Sequence, residues 1–360
     1  MSSTWGRNIK ISIFGQSHSA AVGVVIDGLP AGFKVDLPAL MTFLRRRSPG
    51  RSRLSTPRRE TDEVEFLSGI VGDTLCGAPL CAIIKNADVR RGDYTEFADL
   101  PRPGHADYTA AVKFGGHQDP SGGGHFSGRL TAPLCVAGGI CAQILAAHNI
   151  HVAAHIEKIA GVTDKRFDPV MLSVNDFLSL THEPLTVIDP VAGEAMAGAI
   201  EMARAEGDSV GGVVEYAVIG LEAGVGSPMF EGMENKIASL VFGIPAVKGI
   251  EFGNGFESAA LCGSENNDPF IFSDGDVKTK TNNHGGILGG ITSGMPLIFR
   301  VAIKPTASIA KPQQTVSLSG RREKDLRITG RHDPCIVPRA VPVIEAAAAL
   351  AVYDSILTKH

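Results

Sequence analysis

Residues 130–156 read LTAPLCVAGGICAQILAAHNIHVAAHI, without one Asp, Glu, Lys or Arg. By length alone such a run could cross a bilayer. Pro133, Gly138, Gly139, Gln143, His148, Asn149, His151 and His155 interrupt it, and polar side chains are costly in hydrocarbon. A helix to Ala147 followed by a strand, both buried in protein, is the better reading, and no membrane span is expected. Residues 340–358 repeat the theme, with Ala, Val, Ile and Leu along the buried side of a helix. Around these two segments lie short strand-like runs at 8–14, 22–26, 64–67, 80–84, 212–218 and 297–301. Helical spacing recurs at 35–47, where Leu37, Leu40, Phe43 and Leu44 share a face, and again at 226–243. The expected fold class is α+β, with sheets packed on Ala/Gly-rich helices. With no repeat, linker or shift in composition, residues 1–360 are expected to form a single domain.

Apolar residues make up 44% and charged residues 20% of the 360, which excludes global disorder. Glycine is in excess, at 42 residues against a usual share of about 7%. The net charge of −4 argues against a general nucleic-acid binder. The six cysteines contain no C-x-x-C, so neither a zinc site nor any other metal is expected. Most of them sit among aliphatic residues, as free thiols do in a reducing cytosol. The N-terminal MSSTWGRNIKISIFG carries no signal-peptide pattern.

Five stretches carry chemistry. Arg45, Arg46, Arg47, Arg51, Arg53, Arg58 and Arg59 crowd one short region without a lysine. Arginine forks grip carboxylate or phosphate by two bonds. No aromatic residues are interleaved for base stacking, so a small polyanion fits better than nucleic acid. A loop of this kind is expected to be exposed, so that Arg47 and Arg53 serve affinity rather than stability. GQSHSAAVGVVIDGLP (15–30) places His18 in a turn between strands. RPGHADYTAAVKFGGHQDPSGGGHFSGRLTAP (102–133) sets His105 near Asp107 and puts a triple glycine before Ser127, Arg129 and the apolar helix. A glycine loop ahead of a helix is a natural phosphate seat. NNHGGILGGITSGMP (282–296), with IKPTASIAKP after it, suggests backbone folded close around a flat ligand. TGRHDPCIVPRAVPVIEAAAALAV (329–352) brings Arg331, His332 and Asp333 before a buried helix. The dinucleotide fingerprint and the Walker loop are both missing.

Taken together, FGQSHSAAVGVVIDGLP, RRRSPGRSRLSTPRRETDEVEFLSGI, RPGHADYT, NNHGGILGGITSGMP, IKPTAS and GRHDPCIVPRAVPVIEAAAA resemble, in order, the blocks of the chorismate synthase family. The resemblance runs from about residue 5 to residue 355. It implies a β–α–β sandwich, usually assembled as a homotetramer. It also implies a flavin-dependent lyase, converting 5-enolpyruvylshikimate 3-phosphate to chorismate and phosphate by anti-1,4 elimination. Reduced FMN is the implied cofactor, with no net redox change. The chain is expected to carry no reductase domain of its own and to depend on an external source of reduced flavin.

By the same resemblance His18 protonates the departing phosphate, and His105 protonates or stabilises reduced flavin. Asp333 works with flavin N5 in removing the substrate C6 proton. Arg47 and Arg53 contact anions, and Arg129 joins them in the substrate set. His125, Phe126, Ser127, Ala246, Gly289, Lys304, Pro305, Thr306, Ala307, Ser308 and Arg331 are the implied flavin contacts. The chain departs from the family pattern at Gln16, where an acid is usual, and at Ser19, where Gly is common. HFSGRLT (125–131) stands where R-S-S-A-R-E-T is usual, and the loop before it is one residue longer. The alternatives are a catalytically silent homologue that binds flavin or anions, and a nucleic-acid binder. Three proton-handling groups favour turnover over silent binding.

Overall fold

The computed structural model describes residues 3–50, 54–56, 60, 62–86, 97–183, 185–273, 275–328, 330 and 332–358. Two antiparallel five-stranded sheets enclose the apolar helices. The first sheet runs in the order Thr4–Trp5, Lys10–Gly15, Ala21–Asp27, Leu80–Lys85, Val64–Ser68. The second runs Val247–Phe252, Leu297–Ile303, Gly212–Ile219, His151–Ile159, Val162–Thr163. Helix Thr131–Ala147 packs under the first sheet and Val337–Thr358 under the second, with the two helices against each other. This is the expected β–α–β sandwich. One continuous core, from Ile9 to Tyr353, joins both sheets.

The Ala/Gly content explains how closely the layers approach. A Cβ on Gly138 would lie 2.3 Å from the Ala346 Cα of the facing helix. Both long helices have membrane-like length and hydropathy, but their apolar windows are 78% and 89% buried inside the protein. The chain start is tied to the C-terminal helix by charge-assisted bonds. Asp354 accepts the backbone N–H groups of Arg7, Asn8 and Ile9, and Lys236 bonds its other oxygen at 2.8 Å.

One difference from the sequence reading has a clear cause. The helix expected at 226–243 begins only at Met233, because Gly226 and Met229 take left-handed backbone angles and Pro228 precedes a short 3-10 turn. Within 282–296, Gly285 and Gly290 are required by the protein's own packing. A Cβ on Gly285 would meet Gly253 N at 2.4 Å, and one on Gly290 would meet Ser227 O at 2.3 Å. Their close approach is to the protein's own backbone.

Candidate active site

A cavity of about 660 Å³ opens between the sheets at one end of the sandwich. Helix Leu37–Arg47 delivers Arg47 to it from its last turn. Arg47 is 2% exposed, which corrects the expectation of an exposed loop residue. The cause is Asp62, a buried residue in the left-handed region at φ 51°. Its Oδ2 accepts from Arg47 at 2.6 Å and from Ser48 Oγ at 2.7 Å, and its Oδ1 accepts from Arg129. Burial pushes the Asp62 carboxyl up, but Arg47 and Arg129 outweigh it and hold it below its ordinary value. Arg129 also bonds Asn86 at 2.8 Å. Two guanidinium groups are thus fixed on the cavity wall by one shared carboxylate.

A second basic centre lines the same cavity. Arg102 gives Nε to Asp107 Oδ2 at 2.7 Å and one terminal nitrogen to Ser308 Oγ at 3.2 Å. His105 Nδ1 lies 2.6 Å from Asp107 Oδ1, so the carboxylate orients the imidazole as expected. Burial raises the Asp107 carboxyl, but bonds from Arg102 and His105 hold it well below the carboxylate range. The triple glycine explains how the histidines reach this wall. Gly122, Gly123 and Gly124 all have positive φ. A Cβ on Gly122 would lie 2.2 Å from the His18 ring, and one on Gly123 would lie 3.1 Å from the His105 ring. The loop is a seat for two imidazoles rather than only a phosphate nest. His18 itself is buried one glycine behind the lining.

The third side carries Asp333. Its Oδ1 accepts the Thr56 N–H at 2.8 Å and its Oδ2 accepts from Arg339 at 2.6 Å. Lys304–Ser308 and Ala246 complete the rim, joined where Lys304 N–H donates to Ala246 O at 3.0 Å. Burial, with help from Lys248, lowers the Lys304 ammonium.

Of the site residues read from sequence, the cavity brings together Arg47, His105, Phe126, Ser127, Arg129, Ala246, Lys304, Pro305, Thr306, Ala307, Ser308 and Asp333. Gly289 is not among them: it lies exposed in the turn of a small hairpin. His125 also points elsewhere, with its ring nitrogens on Gly15 O and Ser3 Oγ, both at 2.8 Å. Arg53 and Arg331 lie outside the described residues. Sequence reasoning missed Asp62, Arg102 and Arg339. The spacing Arg102-x-x-His105-x-Asp107 could have exposed Arg102. Only the tertiary fold brings Asp62 to Arg129, whereas Arg339 lies six residues from Asp333.

Residues 9–357 match the family model described as chorismate synthase. The chain is 47% identical to the chorismate synthase of Lancefieldella parvula, over 99% of this chain and 96% of that protein. It is 46% identical to that of Thermococcus kodakarensis, over 99% and 98%. A solved crystal structure of chorismate synthase superposes with a TM-score of 0.78 at 25% identity, covering 99% of this chain and 93% of that one.

Proposed function

The chain belongs to the chorismate synthase family, and from that premise we propose how its cavity turns 5-enolpyruvylshikimate 3-phosphate into chorismate and phosphate. The observation that carries this reading is a single cavity with Arg47, Arg102 and Arg129 on its walls and Asp333 among them. Three guanidiniums suit a substrate bearing two carboxylates and a phosphate. The C6–H and C3–O bonds break, the electron pair of the first shifts through the ring to expel phosphate, and oxidation state is conserved.

Asp333, aimed by Thr56 N–H and Arg339, handles the proton lost from C6. His18, seated behind Gly122, supplies a proton to the leaving phosphate. His105, held by Asp107, presents its imidazole to the flavin side. The cavity fits a flavin: its volume is in the range of cofactor pockets, about 300–1,000 Å³. Thr306 Oγ1 and His332 Nε2 are buried there without partners among the described residues, which suits a ligand rich in polar atoms. Phe126, Ser127, Ala246 and Lys304–Ser308 would hold reduced FMN, which when bound supplies electron density to the substrate during the elimination. Arg53 and Arg331 join the anion and flavin contacts by family resemblance. Reduced flavin comes from outside the chain.

Assembly as a homotetramer accounts for exposed Phe230, Phe256, Phe270 and Phe272, each more than half exposed. The division of labour is tested by kinetic isotope effects with C6-deuterated substrate. Asp333→Asn should enlarge the effect, and His18→Ala should shrink it while lowering kcat by about 10²–10⁴. Wild-type values in both variants would defeat the assignment.

A further inference from the structure

Behind Arg339 lies a second hollow, of about 160 Å³, separate from the reaction cavity. It sits between the end of helix Leu37–Arg47 and the start of helix Val337–Thr358. Arg46 and Arg339 line it, and Arg45 and His182 stand exposed at its mouth. Thr186 adds a hydroxyl group, the Ser48 hydroxyl being given to Asp62, and Glu183 is the one carboxylate among the described lining residues. Glu345 offsets Arg46 through two bonds, at 2.6 and 2.9 Å, and Asp333 offsets Arg339. Arg45 spends one N–H on Met41 O and has no carboxylate partner among the described residues. A guanidinium has five N–H donors, so each of the three keeps some for a ligand. The His182 imidazole is lowered first by burial and then by Arg46, with Glu345 and Glu183 opposing.

The hollow is too small for a flavin or a shikimate ring, given that such ligands occupy pockets of about 300 Å³ or more. A tetrahedral oxyanion fits, and arginine forks match its oxygens. We propose that this hollow is a second oxyanion site that takes the orthophosphate the reaction releases. The source of the phosphate rests on the function proposed above; the site itself rests on the arginines. Arg339 belongs to both cavities and holds Asp333 in one of them. An anion in the hollow competes with Asp333 for that guanidinium, and such coupling between sites is reciprocal. Phosphate therefore slows turnover without having to displace substrate.

Orthophosphate is the probe, and the double variant Arg45→Ala, His182→Ala is the comparison. In the intact enzyme phosphate should give mixed inhibition, lowering kcat as well as raising KM. In the variant it should become purely competitive, with phosphate-free kcat and KM unchanged. Calorimetric titration should find two bound phosphates in the intact enzyme and one in the variant. Arg45→Glu, which reverses charge at the mouth, should lose the same equivalent. Identical inhibition patterns and stoichiometry in all three proteins would overturn the proposal. If the intact enzyme made no chorismate, the reaction assignment would fall, and the titration would still decide the second site.

Discussion

Replacing Asp62 by Asn tests the architecture of the anion site, because it removes one charge and keeps the side-chain shape. Asn also tolerates the left-handed backbone found at this position. The carboxylate is 1% exposed and the Arg47 and Arg129 side chains it joins are 2% and 3% exposed. Removing one member of a buried ion pair costs about 3–5 kcal/mol, since the partner charge stays buried and uncompensated. With an unfolding entropy of about 2.1 cal/mol/K per residue over a chain of this length, the melting temperature should fall by about 4–7 °C.

Differential scanning calorimetry at neutral pH measures this. Adding Arg47→Met to Asp62→Asn should recover part of the loss, because the stranded charge goes too. The pH dependence has a definite sign. The folded Asp62 carboxyl lies below its unfolded value of about 3.9. Its contribution is therefore present above that pH and lost as pH falls through the folded value, so the gap between wild type and Asp62→Asn should close in acid. A melting temperature unchanged by Asp62→Asn would refute the reasoning, as would additive losses in the double variant.

Gly123→Ala should cost about 1–3 kcal/mol of backbone strain and, by displacing His105, about 10²–10⁴ in kcat. Gly116→Ala has similar positive φ but open space, so it should lose stability and keep activity; equal kcat in the two variants would contradict the seating role. Tyr216→Phe removes a buried hydroxyl with no partner among the described residues. It should raise the melting temperature, by the equivalent of about 1 kcal/mol, and a fall would contradict this. Phe272→Glu should shift the mass measured by light scattering to a smaller assembly, and an unchanged mass would remove the aromatic surface from the interface.

The fold was legible wherever apolar pattern and burial coincide. Leu130–Ile156 announced a buried helix and strand because charge is excluded over its whole length, and the strands at Ala21–Asp27 and Leu297–Ile303 carry near-continuous aliphatic runs. Helix Asp107–Phe114 was read as part of a functional loop, since it is short and has only Ala110 buried. Strand Val247–Phe252 was missed because Lys248, Gly249 and Glu251 break its alternation. In the site, His105 with Asp107 was legible from local spacing. Arg47 was misjudged: a run of arginines reads as solvated until the acid that buries it is known. That acid, Asp62, lies 15 residues away and is just one of several carboxylates in the segment.

The proposed reaction of this cavity is elimination of phosphate from 5-enolpyruvylshikimate 3-phosphate, assisted by reduced flavin that is not consumed. An anaerobic assay of the purified protein with dithionite-reduced FMN, followed by chorismate and phosphate release, tests it directly. Equal amounts of the two products are expected over many turnovers, with the FMN still reduced at the end and no turnover on oxidised FMN alone. Equal rates on oxidised and reduced FMN would contradict the flavin's role, and bound substrate without product under reducing conditions would contradict the lyase itself.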